Sequence, residues 1–166
     1  MTLLETIKLI EYIASKQPNI NSIVESGDIY DLSKEEYEQK YSAFCVTQNT
    51  HNINIDFSTY SFTLFYVDRL TLDKSNKLEI HSTAVEFFQN FLKTIMDKIP
   101  ELNVTNGEVT TFMERFSAEC AGAYMRFDVT TPNISLCSIM KDELGEMTPE
   151  AYSEDYFNWV YSIYKN

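Results

Sequence analysis

Between residues 58 and 99 the chain switches its apolar repeat once, from a period of two to a period near 3.6, and this switch restricts the fold more than anything else in the sequence. Tyr60, Phe62, Leu64 and Tyr66 alternate with Ser61, Thr63, Phe65 and Val67, and nearly all of them are β-branched or aromatic. Such alternation places one set on each side of a strand, with one side strongly apolar. An Asp68-Arg69 turn follows, and residues 73–76 break the pattern. Asn76, with Glu79 three positions on, has the spacing of a helix N-cap with a capping box, which satisfies backbone N–H groups that a first helical turn leaves without partners. Val85, Phe88, Leu92, Ile95 and Ile99 then recur at intervals of three and four, so they share one face of a helix over 77–98 that Pro100 stops. A strand followed by a long amphipathic helix requires a sheet with a helix laid upon it. The polar residues of this stretch read as caps and turns and form no reactive constellation.

The rest of the chain supplies partners for that unit. Leu3, Leu4, Ile7, Ile10 and Ile13 mark an amphipathic N-terminal helix, with Thr2 and Glu5 as a capping box and Pro18 as its stop. Ile20, Ser22 and Val24 alternate before a Gly27-Asp28 turn, which suits a short strand. The charged stretch 31–40 is a loop or a helical turn, with Ser33 and Glu36 at capping-box spacing. Residues 41–46 read as a second strand and 48–52 as a polar loop. Asn106-Gly107 sits between apolar segments 102–105 and 109–116, the composition of a two-residue hairpin turn. In 121–131, Tyr124, Arg126, Asp128 and Thr130 alternate with Ala123, Met125, Phe127 and Val129, and Pro132 closes the strand. Residues 134–139 are a short edge strand or a tail. Pro149 opens a C-terminal helix on which Tyr152, Tyr156, Trp159, Val160 and Ile163 share a face.

The order α–β–β–β–α–β–β plus a C-terminal helix predicts an α+β fold, a mainly antiparallel sheet with the long helix packed on one face. Residues 1–140 form the domain, and 141–166 form a C-terminal extension hinged at 141–150. The aromatic side of the last helix is richer than a small helix needs for a monomeric core. Tyr152, Tyr156 and Trp159, with Asp68 and Arg69, are therefore the candidate subunit-interface residues.

Charge and composition narrow the function classes. Twenty-five acidic residues against 13 basic give a net charge of −12, which disfavours a grip on phosphate backbones but suits solubility, or a passage through which nucleic acid slides. Eleven Phe and eleven Tyr serve core packing, and the amphipathic Tyr also suits protein contacts. Cys45, Cys120 and Cys137, an odd number without Cys-x-x-Cys spacing, read as buried thiols in a reducing compartment. No apolar run approaches the ~20 residues of a membrane span, so neither membrane insertion nor secretion is expected. His51 and His81 lack neighbours at metal-ligand spacing, and the four glycines are too far apart for a phosphate-cradling loop. A Cys–His pair such as Cys45 or Cys120 with His81 meets, if at all, only in space. No catalytic residue, cofactor or metal is expected, and the chain is not expected to be an enzyme.

Two matches carry a family resemblance. Tyr60-Ser-Phe-Thr-Leu-Phe-Tyr-Val-Asp-Arg69 followed by Asp73-Lys-Ser-Asn-Lys-Leu-Glu-Ile-His-Ser82 resembles virion proteins of the crAss-like group of tailed bacteriophages. Glu114-Arg-Phe116 with Cys120-Ala-Gly-Ala-Tyr124, closing near Cys137-Ser-Ile139, is a second match, and together they span roughly residues 40–140. The element order is also similar to the tail-terminator and tail-completion fold. The resemblance implies a structural, non-catalytic virion protein of the tail or head–tail junction, assembled in the host cytoplasm. It implies a homo-oligomeric ring that contacts portal, connector or tail proteins, with DNA passing through the lumen without sequence-specific binding. From the residues alone, a small cytosolic enzyme or ligand-binding domain with a pocket between helix and sheet is the competing expectation.

Overall fold

The computed structural model describes residues 2–24, 41–54, 57–99, 102–105, 107–115 and 119–132. Several sequence expectations fall outside them: the Gly27-Asp28 turn, the 31–40 stretch, the 134–139 strand, Cys137, the 140/141 domain boundary and the C-terminal helix with Tyr152, Tyr156 and Trp159. Within them the chain runs α1 (Leu3–Ser15), β1 (Ser22–Val24), β2 (Ala43–Ile53), β3 (Phe57–Arg69), α2 (Lys77–Lys98), β4 (Asn103–Val104), β5 (Val109–Arg115) and β6 (Glu119–Pro132). This is the expected α+β class and element order, with β4 and β5 as separate short strands.

Each helix starts differently. Thr2 caps α1 as expected: its hydroxyl accepts the Glu5 N–H at 3.3 Å and its own N–H donates to the Glu5 carboxylate at 2.6 Å. Asn76 occupies the cap position of α2 but makes no cap bond. Its side chain accepts the Thr71 N–H at 3.0 Å and donates to the Arg69 carbonyl at 3.0 Å. The expected capping box is therefore replaced by a brace across the preceding loop, because an Asx side chain can serve only one of the two sets of backbone groups.

The sheet has the order β1-β2-β3-β6, with β4 and β5 both along the outer edge of β6. All pairings are antiparallel except β1 with β2, so the sheet is mixed. β3 is its axis, paired with β6 without interruption from Phe57↔Pro132 to Arg69↔Cys120. The polar run 48–52 is not a loop: β2 continues to Ile53 and forms a hairpin with β3 after a bulge between Gln48 and His51. Cross-strand bonds replace the missing apolar pattern, with the Asn49 amide donating to the Thr63 hydroxyl at 2.9 Å.

Asn106 of the expected Asn106-Gly107 turn lies outside the described residues, and the segments on either side, β4 and β5, each pair with β6 rather than with each other. Val104 opposes Val129 and Val109 opposes Met125. Five steps on one side (109 − 104) against four on β6 (129 − 125) shift the register by one residue between them. At Gly107 a Cβ would stand 2.0 Å from the Arg126 carbonyl oxygen, so backbone proximity explains the glycine there. Gly122 is held by the same kind of constraint, with the Tyr66 carbonyl oxygen 2.0 Å from where its Cβ would be.

Both helices contribute to one core on one face of the sheet. Leu9, Ile10 and Ile13 of α1 join Phe44, Phe62, Leu64, Tyr66, Met125 and Phe127 of the strands. Leu4, expected on the apolar face of α1, is exposed. The buried stripe of α2 is Ile80, Ala84, Phe87, Phe88, Phe91 and Ile95, rotated from the expected Val85, Phe88, Leu92, Ile95 and Ile99. Val85 and Leu92 are only half-buried, although Ile99 is buried at the helix end. The rotation brings Phe87 and Phe91 inward beside Phe88: Phe87 lies 5.4 Å from both Phe44 and Tyr66, and Phe91 lies 5.7 Å from Phe127. On the opposite face Val24, Ala43, Cys45, Val67 and Cys120 form a smaller buried cluster, with Tyr41, Phe65 and Phe112 packed against it.

Phe87→Ala is expected to destabilise the fold by about 3–5 kcal/mol, whereas Val85→Ala on the half-buried side costs about 1 kcal/mol. Urea denaturation of the two variants checks the rotated stripe, because the expected one predicts the opposite ranking.

Candidate functional site

Asp68 and Arg69 lie at the C-terminal end of β3, the entrance to a braced connection. The Asp68 carboxylate accepts the Arg69 N–H at 2.7 Å. Burial pushes its carboxyl above the usual range against the pull of that N–H, and the nearby Glu79 charge adds to the rise. Arg69 has an exposed side chain, and its carbonyl takes the Asn76 brace.

Beyond Asn76, Asp73 organises the loop. Its carboxylate accepts the Thr71 hydroxyl at 2.7 Å, the Ser75 N–H at 3.2 Å and the Ser75 hydroxyl at 2.9 Å. These bonds hold its carboxyl below the usual range. Lys74 takes a left-handed conformation, φ 57°, and its ammonium pairs with Glu119 at 3.1 Å, tying the loop to the start of β6. The Leu70 N–H donates to the Glu119 carbonyl at 3.0 Å.

This braced loop presents Leu72 fully to solvent, and Leu78 in the first turn of α2 is 80% exposed. The other end of β3 is also apolar and bare: Ile53 is 74% and Phe57 42% exposed at the β2–β3 hairpin tip. Thirteen residues of β3 separate the two ends by roughly 40 Å at strand rise. Sequence patterning misses all four side chains, because single apolar residues beside turns carry no period. A partial signal is there in retrospect: Leu72 is followed by the polar run Asp73, Lys74, Ser75 and Asn76, so the strand period that reaches it through Leu70 stops there.

Among the described residues the chemistry-bearing side chains do not converge. His51 lies in β2 with its ring edge-on to Tyr60 at 5.5 Å, while His81 Nε2 is 3.2 Å from the Phe112 carbonyl oxygen, fastening α2 to the edge strand. Cys45 and Cys120 are buried thiols in the cluster on the opposite face. Burial pushes the Cys120 thiol up, with a hydrogen bond from Tyr41 in opposition, which favours the protonated, unreactive form. Among the described residues no three His, Cys, Asp or Glu side chains are placed to hold a metal ion. None of the described helices is long and apolar enough to cross a membrane.

No protein-family model matches the chain, and a search of curated proteins finds no match. The resemblance to phage virion proteins therefore stands on the residues quoted for it.

The two loop carboxylates predict opposite pH responses. Asp73, depressed in the fold, contributes stability that is present above the unfolded carboxylate pKa and is lost as pH falls through its lower folded value. Asp68, raised in the fold, binds a proton more readily folded than unfolded, so stability falls as pH rises from the unfolded value through its folded one. Urea midpoints across the acidic range are expected to lose the first component in Asp73→Asn and the second in Asp68→Asn.

Proposed function

We propose that the chain is a structural subunit of a tailed-bacteriophage tail or head–tail connector, which forms a ring around the genome passage and joins neighbouring virion proteins. The observation that carries this reading is the pair of bare apolar ends of β3, Ile53 with Phe57 and Leu72 with Leu78. They lie near opposite ends of β3, on different surfaces of the subunit, which is what a heterologous, head-to-tail contact needs. Burying one such side chain in an interface is worth about 1.5–3 kcal/mol, and the braced loop presents its leucine without a large ordering cost. The acidic balance of −12 fits a lumen that passes DNA without retaining it. The quoted stretches 60–82 and 114–139 supply the family reading.

The competing reading, a small enzyme or ligand-binding domain with its pocket between helix and sheet, gains little from this core. The gap lined by Leu9, Ile10, Ile13, Ile95, Phe127 and Val129 holds about 10 Å³, which is room for about one water.

The test is the mass of the full chain by light scattering, alone and mixed with purified tailless phage heads that carry their portal. A multiple of the chain mass, or saturable binding to the heads, is expected. Ile53→Asp or Leu72→Asp should weaken either by about tenfold or more, with the thermal midpoint unchanged. A chain that stays monomeric, ignores the heads and is indifferent to both variants overturns the reading.

A further inference from the structure

The two flanks of α2 meet different neighbours. On one, Thr94 meets the Gln17 side chain just beyond α1; on the other, His81 Nε2 stands 3.2 Å from the Phe112 carbonyl oxygen of β5. Val85, Leu92 and Met96 lie within about 60° of His81 around the helix axis, on the flank that faces away from α1. Val85 and Leu92 are half-buried there, and Met96 is 59% exposed. Beside them β5 adds Met113, 40% exposed, whose alternation with Val109 sets it on the helix-bearing face of the sheet. The flank of α2 and the edge strand thus form an apolar ledge. With Gln89, its α2 side runs 85, 89, 92, 96, at intervals of four, three and four.

A segment outside the described residues has the matching spacing. Tyr152, Tyr156, Trp159 and Ile163 also recur at intervals of four, three and four, after the Pro149 helix start. The two stripes are equally long, about 16 Å of helix. The connection reaches: β6 ends at Pro132, two residues past Thr130, which opposes Asn103 just after the end of α2. Pro132 therefore lies at the Met96 end of the ledge, and residues 133–148 can extend to about 50 Å. Charge selects the direction. α2 carries Lys77, Glu79 and Glu86 in its first half and Lys93, Asp97 and Lys98 in its second, so its net sign turns from negative to positive. The segment has the same polarity, with Glu150, Glu154 and Asp155 first and Lys165 last. Antiparallel packing sets opposite signs side by side, and parallel packing sets like signs together. We propose that the aromatic face of residues 149–163 docks on this ledge of its own subunit, antiparallel to α2. Tyr152, Tyr156 and Trp159 then serve an intramolecular contact rather than the subunit interface expected from the sequence. The proposal does not depend on ring assembly, whose contacts are left to the ends of β3.

The test is amide hydrogen exchange of the full chain, resolved by mass spectrometry of its peptides. Residues 149–163 are expected to exchange more slowly than an unstructured chain, at a rate that dilution does not change. Met96→Asp and Met113→Asp, each placing a charge on the ledge, should quicken exchange there about tenfold or more. Leu72→Asp should leave it unaltered, which separates this contact from the ring contact. Unchanged exchange across β3 and β6 establishes that all three variants keep the sheet. Exchange at the unstructured rate, or indifference to both ledge variants, would overturn the proposal. So would a response to Leu72→Asp, or protection lost on dilution, the mark of a contact with a neighbouring copy.

Discussion

The Phe87 ring is the contact on which most of the architecture depends. It lies against Phe44 of β2 and Tyr66 of β3, and it touches Phe88 at 5.2 Å and Phe91 at 6.0 Å on its own helix. Phe91 carries the contact onward to Phe127 of β6. One helix therefore spans three neighbouring strands through aromatic faces and edges, which are large and directional and so fix both the rotation and the height of α2. With α2 placed, Thr94 meets the Gln17 amide at 3.4 Å and His81 reaches the Phe112 carbonyl. The same placement orients α1 and the edge strand.

This arrangement also decides what stays outside. With both helices on one face, β3 is free to run to either end of the sheet, and its ends carry the exposed Ile53, Phe57, Leu72 and Leu78. The connection from β3 to α2 is held by side chains that would ordinarily cap a helix. Asp73 and Asn76 spend their acceptors within the loop, and the Lys74–Glu119 pair closes it against β6. An exposed leucine on such a support is ordered before any partner arrives, so binding has less conformational entropy to remove. The edge strand is treated differently. Its register against β6 changes by one residue between Val104, opposite Val129, and Val109, opposite Met125.

Where the sequence misleads, one kind of signal stands in for another. Asn106-Gly107 has hairpin composition, yet the requirement that Gly107 meets is clearance from the Arg126 carbonyl. Residues 48–52 have no apolar period because β2 there is held by polar cross-strand partners such as Asn49 with Thr63. The α2 stripe shows the subtler error: spacing alone allows several adjacent faces, and Val85, Phe88, Leu92, Ile95 and Ile99 form one as regular as the buried set. Asp68 and Arg69 are legible as a strand end, but the raised carboxyl of Asp68 is not, since it comes first from burial and then from the charge of Glu79 in α2.

The sequence by itself determined the local periods, and with them the α+β class, the order of elements, the Thr2–Glu5 cap and the inward set of β6. Those follow from backbone geometry, which repeats every two or 3.6 residues and needs no knowledge of a partner. Tertiary structure alone decided the parallel pairing of β1, the register shift along the edge of β6, the rotation of α2 and the exposure of four large apolar side chains. Each of these depends on which distant surface arrives opposite a residue. A strand–helix unit such as 58–99 specifies its own two faces, but only packing against β2 and β6 selects the rings that turn inward and the ends that remain bare.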